Sequence, residues 1–497
     1  MTDELETANA ASETVQADPR RWKALIVLAL IQFMLVLDVT VVNVALPRIQ
    51  QNLHFSHSGL AWVVNGYVLM AGGFLLLGGR LADLLGRRRV FLVGVAIFAV
   101  ASATSGAAVS PGMLVASRFV QGLGEAFAAP ASLGLIALLF PDPRERIKAL
   151  GMWGGVAGLG GTTGTIISGV LTNYASWRWI FYINLPVAAF ALLVVPRLVS
   201  ESRMQRESRR PDFAGAFTAT GGLVAIVDGL LNASTHAWAS WQVLLPLLGG
   251  VALLGLMVLL ESRSKGPLIP LSFFANRTRV VTNFTTLFFS ATFFSYFFML
   301  TLYEQQVLHW SPLHGGVSYL PFGITIGAGI GLGTALMPKL GVRPILATGF
   351  FGGAVGLWLT SDITVSSHYY SGIMPAMAIL GFFSGMCFPT IGNASLHQVT
   401  GQDSSLASGV QNSMQQIGGA LGLALLVTIA LRRTSSQIHH GVNALVAQTH
   451  GYDLAYRIAA ILIGIGGILV LLLLEHVDAT PRQPALELEG EVAAAVL

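Results

Sequence analysis

The sequence predicts an all-α polytopic membrane protein, and composition, stretch length and pattern each point there. Hydrophobic residues make up 54% of the 497 residues, charged residues only 10%, and the mean hydropathy is +0.68. A soluble chain carries roughly a quarter charged residues. Apolar stretches of about 18–25 residues recur from end to end, the length a helix needs to cross a hydrocarbon core roughly 30 Å thick. In lipid every backbone polar group must be satisfied internally, and the alternating pattern of a barrel strand is absent, so these stretches are helices.

Hydropathy places about fourteen spans, near 24–46, 60–79, 90–109, 113–139, 149–172, 179–199, 213–232, 241–260, 280–302, 316–337, 343–361, 370–396, 407–431 and 454–474. The fourth and twelfth are long enough to tilt or kink, with Pro130 and Pro375 as the breaking points. Basic residues set the orientation. Arg20, Arg21 and Lys23 precede the first span, Arg87, Arg88 and Arg89 follow the second, and Arg144, Arg146 and Lys148 follow the fourth. Arg203, Arg206, Arg209 and Arg210 follow the sixth, Arg263, Lys265, Arg277 and Arg279 the eighth, and Lys339 and Arg343 the tenth. The opposite loops carry few, Arg48 and Arg178 with Arg432, Arg433 and Arg457 around the last long loop, so both termini are expected in the cytoplasm of a bacterial cell, with a multi-pass body in its cytoplasmic membrane. The acidic start, with Asp3, Glu4 and Glu6, is the reverse of a signal peptide and is expected to be a disordered tail.

The expected organisation is two six-helix bundles plus a two-helix insert: a tail over 1–23, a first bundle over 24–199, a linker with two inserted helices over 200–279, a second bundle over 280–474, and a tail over 475–497. A faint duplication supports it. Leu85-Gly86-Arg87-Arg88 after the second span resembles Leu340-Gly341-Val342-Arg343 after the tenth, and His57-Ser58-Gly59 and His314-Gly315-Gly316 stand at the outer mouths of the same two spans. Duplicated six-span halves are a transporter architecture.

Other functions find no support. Net charge is only +4, and its basic residues lie in short loops, so no nucleic-acid partner is expected. Cys387 is the sole cysteine, which excludes an intrachain disulfide. None of the four lysines (Lys23, Lys148, Lys265 and Lys339) follows a glycine, so a Walker A loop cannot occur and ATP is not the energy source. No pore filter, HExxH pair or nucleophile elbow stands out, and the eleven histidines are scattered. The expectation is a non-enzyme with no metal and no cofactor, driven by a proton gradient, whose partners are a small-molecule substrate, protons and the lipid bilayer, working as a monomer.

Four stretches carry the mechanism. Gly79-Arg80-Leu81-Ala82-Asp83-Leu84-Leu85-Gly86-Arg87-Arg88-Arg89 joins the second and third spans, and its glycines permit a tight turn. It resembles the loop signature of the major facilitator superfamily. Leu37 to Pro47 (LDVTVVNVALP) resembles the first-span signature of the fourteen-span drug/proton antiporter family within that superfamily. Arg118-Phe119-Val120-Gln121-Gly122-Leu123-Gly124 is similar to its proton-linked motif, and Trp177 to Pro186 (WRWIFYINLP) to its sixth-span start. The resemblance spans nearly the whole chain. It implies export of small lipophilic or cationic organic compounds by alternating access, coupled to protons, and it gives Gly79, Asp83, Gly86 and Arg87 the role of a cytoplasmic latch. An alternative within the family is a dedicated transporter of one metabolite, such as a self-made antibiotic, a siderophore or an amino acid. Two departures stand out. The fifth span reads Gly164-Thr165-Ile166-Ile167-Ser168-Gly169, without the usual proline, and the thirteenth carries Gln415-Gln416 where an arginine often precedes the glutamine.

Charges inside spans need partners or a water-filled cavity, because an ionised side chain at mid-membrane costs about 2.5–3.5 kcal/mol even on the gentler scale. Asp38 and Arg118 lie in the outer halves of spans running in opposite directions, so they are expected to meet. Gln121 and Glu125 continue the Arg118 face of the fourth span. Together the four are expected to line one wall of a cavity, with Arg118 holding carboxylates ionised until a proton competes; a structural ion pair is the competing reading. Asp228, in the insert, is expected to be peripheral. Glu304 is expected either to be solvated at a helix end or to capture a cation at the outer mouth. The resemblance makes the ninth and twelfth spans the second bundle's cavity helices, so Phe289, Phe293, Tyr296 and Met386 become possible substrate contacts beside Asn43, Gln411 and Gln415. Packing against lipid or neighbouring helices accounts for most of the aromatics equally well.

Overall fold

The computed structural model describes residues 20–202, 212–264, 267–269, 271–398 and 404–475. Residues 1–19 and 476–497 of the expected tails (1–23 and 475–497), with Arg203, Arg206, Arg209, Arg210 and Lys265, lie outside the described residues.

Long helices account for nearly all of it: α1 (Arg21–Leu53), α2 (His57–Leu85), α3 (Arg87–Gly106), α4 (Pro111–Leu139), α5 (Pro143–Tyr174), α6 (Trp179–Leu198), α7 (Phe213–Asn232), α8 (Trp241–Arg263), α9 (Arg277–Val307), α10 (Pro312–Leu340), α11 (Val342–Thr360), α12 (Tyr369–Ser395), α13 (Ser404–His439) and α14 (Ala444–Leu473). Thirteen of the described helices are long and apolar enough to cross a membrane. The other, α5, is 32 residues long but rich in glycine and threonine, which dilutes its hydropathy without shortening it. The chain is therefore a multi-pass helical membrane protein.

Local chemistry sets the ends. Ser56, Ser110 and Ser311 each accept a hydrogen bond from a backbone N–H in the first turn of α2, α4 and α10. Gly86 and Gly341, the paired glycines of the internal repeat, have φ of 109° and 77°, which lets one helix stop and the next begin within a single residue. Some boundaries differ from hydropathy. The last helix begins at Ala444 rather than near 454, because polar Gln448, Thr449 and Asp453 continue a helix that has left the apolar layer. The sixth span breaks at Ile183 into Trp179–Tyr182 and Asn184–Leu198. Pro375 stands in the first turn of the α-helical part of α12, directly after a π turn over Tyr369–Ile373, and the proline inside that part is Pro389.

The packing repeats itself. In the first bundle α1 packs on α5, α2 on α4, α3 on α4, and α6 on α1 and α3. In the second, α9 packs on α13, α10 on α12, α11 on α12, and α14 on α9 and α11. Adding eight to each helix number converts one set into the other. Glycine makes the matching contacts. A Cβ on Gly160 or Gly164 of α5 would sit 3.2 Å from the Phe33 carbonyl oxygen or 1.9 Å from Thr40 Oγ1 of α1. On α13, Gly418 and Gly422 have the same spacing, and a Cβ on them would sit 2.6 Å from Leu287 Cα or 2.2 Å from Ala291 Cα of α9. The inserted α7 packs on α8 and lies along the seam between α2 and α13, while α8 touches chiefly α7.

The two halves meet unevenly. The face where α1 starts and α14 ends is called here the terminal face, and the opposite one the far face. The α2–α13 seam is closed deep toward the terminal face, where Ser413 Oγ donates to the Gly72 carbonyl at 2.8 Å and Gly409 meets Leu76. The matching seam of α5 with α10 closes at the far face alone, where Gly169 and Gly316 cross in near backbone contact. Toward the terminal face Gly151, Gly154 and Gly155 of α5 and Gly327 and Gly331 of α10 face open space. Along α5 and α10 the halves are shut at the far face and parted toward the terminal one.

Candidate functional site

The buried charges form one network inside the first bundle. Asp38 on α1 and Arg118 on α4 are 0% and 1% exposed, and Arg118 Nη1 lies 2.5 Å from Asp38 Oδ2. Spans running in opposite directions bring the two to one depth. Arg118 also donates from Nε to the Val63 carbonyl at 2.9 Å and from Nη1 to Gln121 Oε1 at 2.8 Å. Its guanidinium carbon lies 4.2 Å from the centre of the Tyr67 ring, a cation–π contact. Asp38 Oδ1 accepts from Gln121 Nε2 at 2.7 Å and from Asn184 Nδ2 at 2.9 Å. Asn184 donates in turn to Ser102 Oγ at 3.0 Å, and Ser102 donates to the Phe181 carbonyl at 2.8 Å. Both carboxylate oxygens and the guanidinium Nε and Nη1 are thus hydrogen-bonded, which offsets the cost of keeping the ion pair out of water.

This geometry corrects one expectation. Asp38, Arg118 and Gln121 do not line a cavity wall in this conformation; they are enclosed between α1, α2, α4 and α6, because the guanidinium turns inward to the Val63 carbonyl and the Tyr67 and Phe181 rings cover it. Asn184 and Ser102 belong to the network and were not singled out as site residues. Asn184 lies within the quoted sixth-span motif; for Ser102 the sequence carries no signal. Glu125, two turns along α4, comes beside Tyr67 but stands outside the network, partly exposed, with Oε2 buried and unpartnered.

The glycine-rich loop holds together within the first bundle. Arg87 Nη2 pairs with Asp83 at 2.9 Å, across the turn that Gly86 makes, and Arg87 Nη1 donates to the Gly134 carbonyl at 2.9 Å. Gly79 packs on Pro130. Glu201, after α6, accepts from the backbone N–H groups of Arg88 and Arg89, each at 3.2 Å. It caps α3, and Glu201→Ala is expected to lower stability by about 1 kcal/mol, read as a lower unfolding temperature of the purified protein.

The possible substrate contacts divide. Phe289 and Tyr296 are 2% and 1% exposed and pack within the second bundle, Phe289 against Phe350 of α11 and Phe388 of α12, Tyr296 against Tyr456 of α14. Met386 is buried where α12 crosses Gly333 of α10. These three are core residues in this conformation, a correction with a simple cause: apolar side chains bury against one another before they line a path. Asn43 is buried, its amide reaching only the Val39 carbonyl at 3.5 Å. Phe293, Gln411 and Gln415 are half-buried. Gln411 and Gln415 share the face of α13 that carries Gly418 and Gly422, the face toward α9. Asp228 accepts from Asn232 at 2.9 Å on the peripheral α7. Glu304 is not solvated at a helix end: it is 0% exposed at the far-face end of α9, in a π turn over Tyr303–Val307 that extends the helix.

Two six-helix halves repeat one packing order, and the family and relatives they match make the chain a membrane transporter and not an enzyme. The chain belongs to the Major Facilitator Superfamily, whose profile matches residues 28–423. It is 38% identical to a puromycin resistance protein of Streptomyces alboniger over 92% of each chain. It is 35% identical to a lincomycin resistance protein of Streptomyces lincolnensis, covering 84% of this chain and 86% of that one. A cephamycin export protein of Amycolatopsis lactamdurans is 34% identical, over 83% of this chain and 85% of its own. The fold matches a bacterial homologue of the lysosomal transporter Spinster, solved inward-facing and unoccupied, with a TM-score of 0.67 at 16% identity over 94% of this chain and 99% of that one. It also matches a D-xylose–proton symporter, with a TM-score of 0.62 at 13% identity over 92% and 98% of the two chains.

Proposed function

We propose that this protein exports small lipophilic or cationic organic compounds, antibiotics among them, in exchange for protons, by alternating access across the bacterial cytoplasmic membrane. The observation that carries the reading is the enclosed Asp38–Arg118 pair with its Gln121 and Asn184 donors, in a chain whose relatives are named for antibiotic resistance and export. With both termini in the cytoplasm, the parted terminal face is the inward-open side. A proton reaching Asp38 cancels its attraction for Arg118 and leaves the guanidinium held by Val63 and Gln121 alone. That loss is large enough to change which packing of α1 against α4 is favoured. Glu125 sits next to this switch as a second proton or substrate-cation site, and the Asp83–Arg87 latch steadies one access state. One chain is sufficient for the whole path, so the protein works as a monomer.

Each of the three relatives is named for a single antibiotic, which favours a second reading: export of one self-made antibiotic rather than of many drugs. Dye and antibiotic efflux from cells expressing the chain separates these readings. Export is expected to collapse with a protonophore and with Asp38→Asn. Export surviving both rules out the coupling scheme, and export confined to one compound establishes the narrow reading.

A further inference from the structure

The π turn at the end of α9 carries three polar side chains in succession, and they point two ways. Gln305 Nε2 donates to the Val44 carbonyl at 2.8 Å and Gln306 Nε2 to Gln50 Oε1 at 2.7 Å, both across to α1 in the other half. Gln448 of α14 donates to Gln306 Oε1 at 2.9 Å and braces this crossing from behind. Glu304 turns instead into its own half. Its Oε1 accepts from Ser318 Oγ at 2.9 Å, and its Oε2 is buried with no hydrogen-bond partner. Ser318 belongs to the first turns of α10, which include Gly316 at the crossing with Gly169. Glu304 therefore joins the two contacts that shut the far face, α9 on α1 and α10 on α5.

Its surroundings hold no counter-charge. The titratable groups within electrostatic reach are the phenols of Tyr296 and Tyr303 on α9, Tyr319 on α10, Tyr369 on α12 and Tyr456 on α14. Among the described residues no lysine, arginine or histidine pairs with it. The Tyr296 and Tyr456 hydroxyls are themselves buried and unpartnered, so the site is polar but uncharged. A bare carboxylate here keeps its desolvation cost and receives one hydrogen bond in return, whereas the neutral acid has no charge to bury and turns its orphan oxygen into a donor.

We propose that Glu304 is a gate proton site, distinct from the Asp38 network: a proton on its carboxyl holds the far face shut, and its departure accompanies opening. Parting α10 from α5 draws Ser318 away and admits water, which hydrates the carboxylate and disfavours reclosure until a proton returns. The proton comes from far-face solvent and goes back to it, so this site sets the gate and moves no net charge across the membrane. The reading rests on alternating access as proposed above but not on proton-driven export.

The test needs neither substrate nor gradient. In full-length protein with Cys387→Ser, spin labels are placed at Val109 and Val365, exposed far-face positions in the two halves, and their separation is measured in nanodiscs from mildly acidic to mildly alkaline pH. The parent protein is expected to widen as pH rises, and Glu304→Gln to stay closed throughout. Glu304→Asp, which keeps the acid on a shorter arm, is expected to widen with a shifted midpoint, and it carries the test if the glutamine variant does not fold. Infrared difference spectra are expected to show a neutral-carboxyl band that Glu304→Gln removes. A glutamine variant that widens like its parent overturns the proposal, as do a pH-insensitive parent or an unshifted Glu304→Asp. A failure of proton-driven export leaves this readout unchanged, so the two readings fail separately.

Discussion

Arg118→Ala is expected to abolish export and to destabilise the folded transporter by about 3–5 kcal/mol, the cost of removing one partner from a buried ion pair. The magnitude follows from what is left behind. Asp38 would remain fully enclosed with a charge and two amide donors, and the Val63 carbonyl would lose its only side-chain donor among the described residues. Arg118→Lys is expected to recover little. A lysine offers a point charge, whereas the guanidinium serves Asp38, Gln121 and Val63 at once and makes a cation–π contact with Tyr67. The double variant with Asp38→Asn distinguishes pairing from packing: removing the orphaned carboxylate is expected to restore much of the thermal stability lost in Arg118→Ala and none of the export. Unfolding temperatures of the purified variants and efflux from cells are the two readouts. A double variant no more stable than Arg118→Ala alone would place the loss in packing rather than in charge.

How far this network was legible depended on the kind of residue. Asp38 and Arg118 announce themselves because an ionised group in a span must find a partner, and helix polarity puts them at one depth. Neutral donors send no such signal. Ser102 and Asn184 resemble any polar residue tolerated in a membrane helix, and only the fold shows them meeting at Asp38. The burial of Glu304 was hidden for a different reason. Hydropathy ends the ninth span near 302, at the last apolar residue, but backbone hydrogen bonding carries the helix through a π turn to Val307 and folds the carboxylate inward. The duplication was legible at Gly86 and Gly341, where backbone geometry demands glycine, and invisible in the bundle interiors. There Gly160 with Gly164 and Gly418 with Gly422 do equivalent work within dissimilar sequences.

Gly316→Leu is expected to hold the far face open and to reduce export by at least an order of magnitude. A Cβ at Gly316 would lie 2.4 Å from the Thr165 carbonyl oxygen and 3.2 Å from the Gly169 Cα, and both neighbours are backbone that cannot step aside. Gly169 is as tightly placed, since its own Cβ would sit 2.8 Å from the Pro312 carbonyl oxygen. Closing this crossing over a leucine forces α5 and α10 apart by more than a close-packed interface absorbs, so the conformation with the crossing released becomes the stable one. A ligand-free protein obeys the same balance: destabilising one of two states populates the other in proportion to the energy difference. Labels at Val109 and Val365 should therefore read an open far face at every pH, including acidic conditions in which a protonated Glu304 would otherwise keep it shut. Gly327→Leu on the same helix is the control, because nothing lies within 4 Å of a Cβ there in the far-closed conformation, and the label separation should match the parent. If Gly316→Leu instead closed normally, the α5–α10 crossing would not be a gate contact, and the far-face seal would rest on the Gln305 and Gln306 bridges to α1 alone.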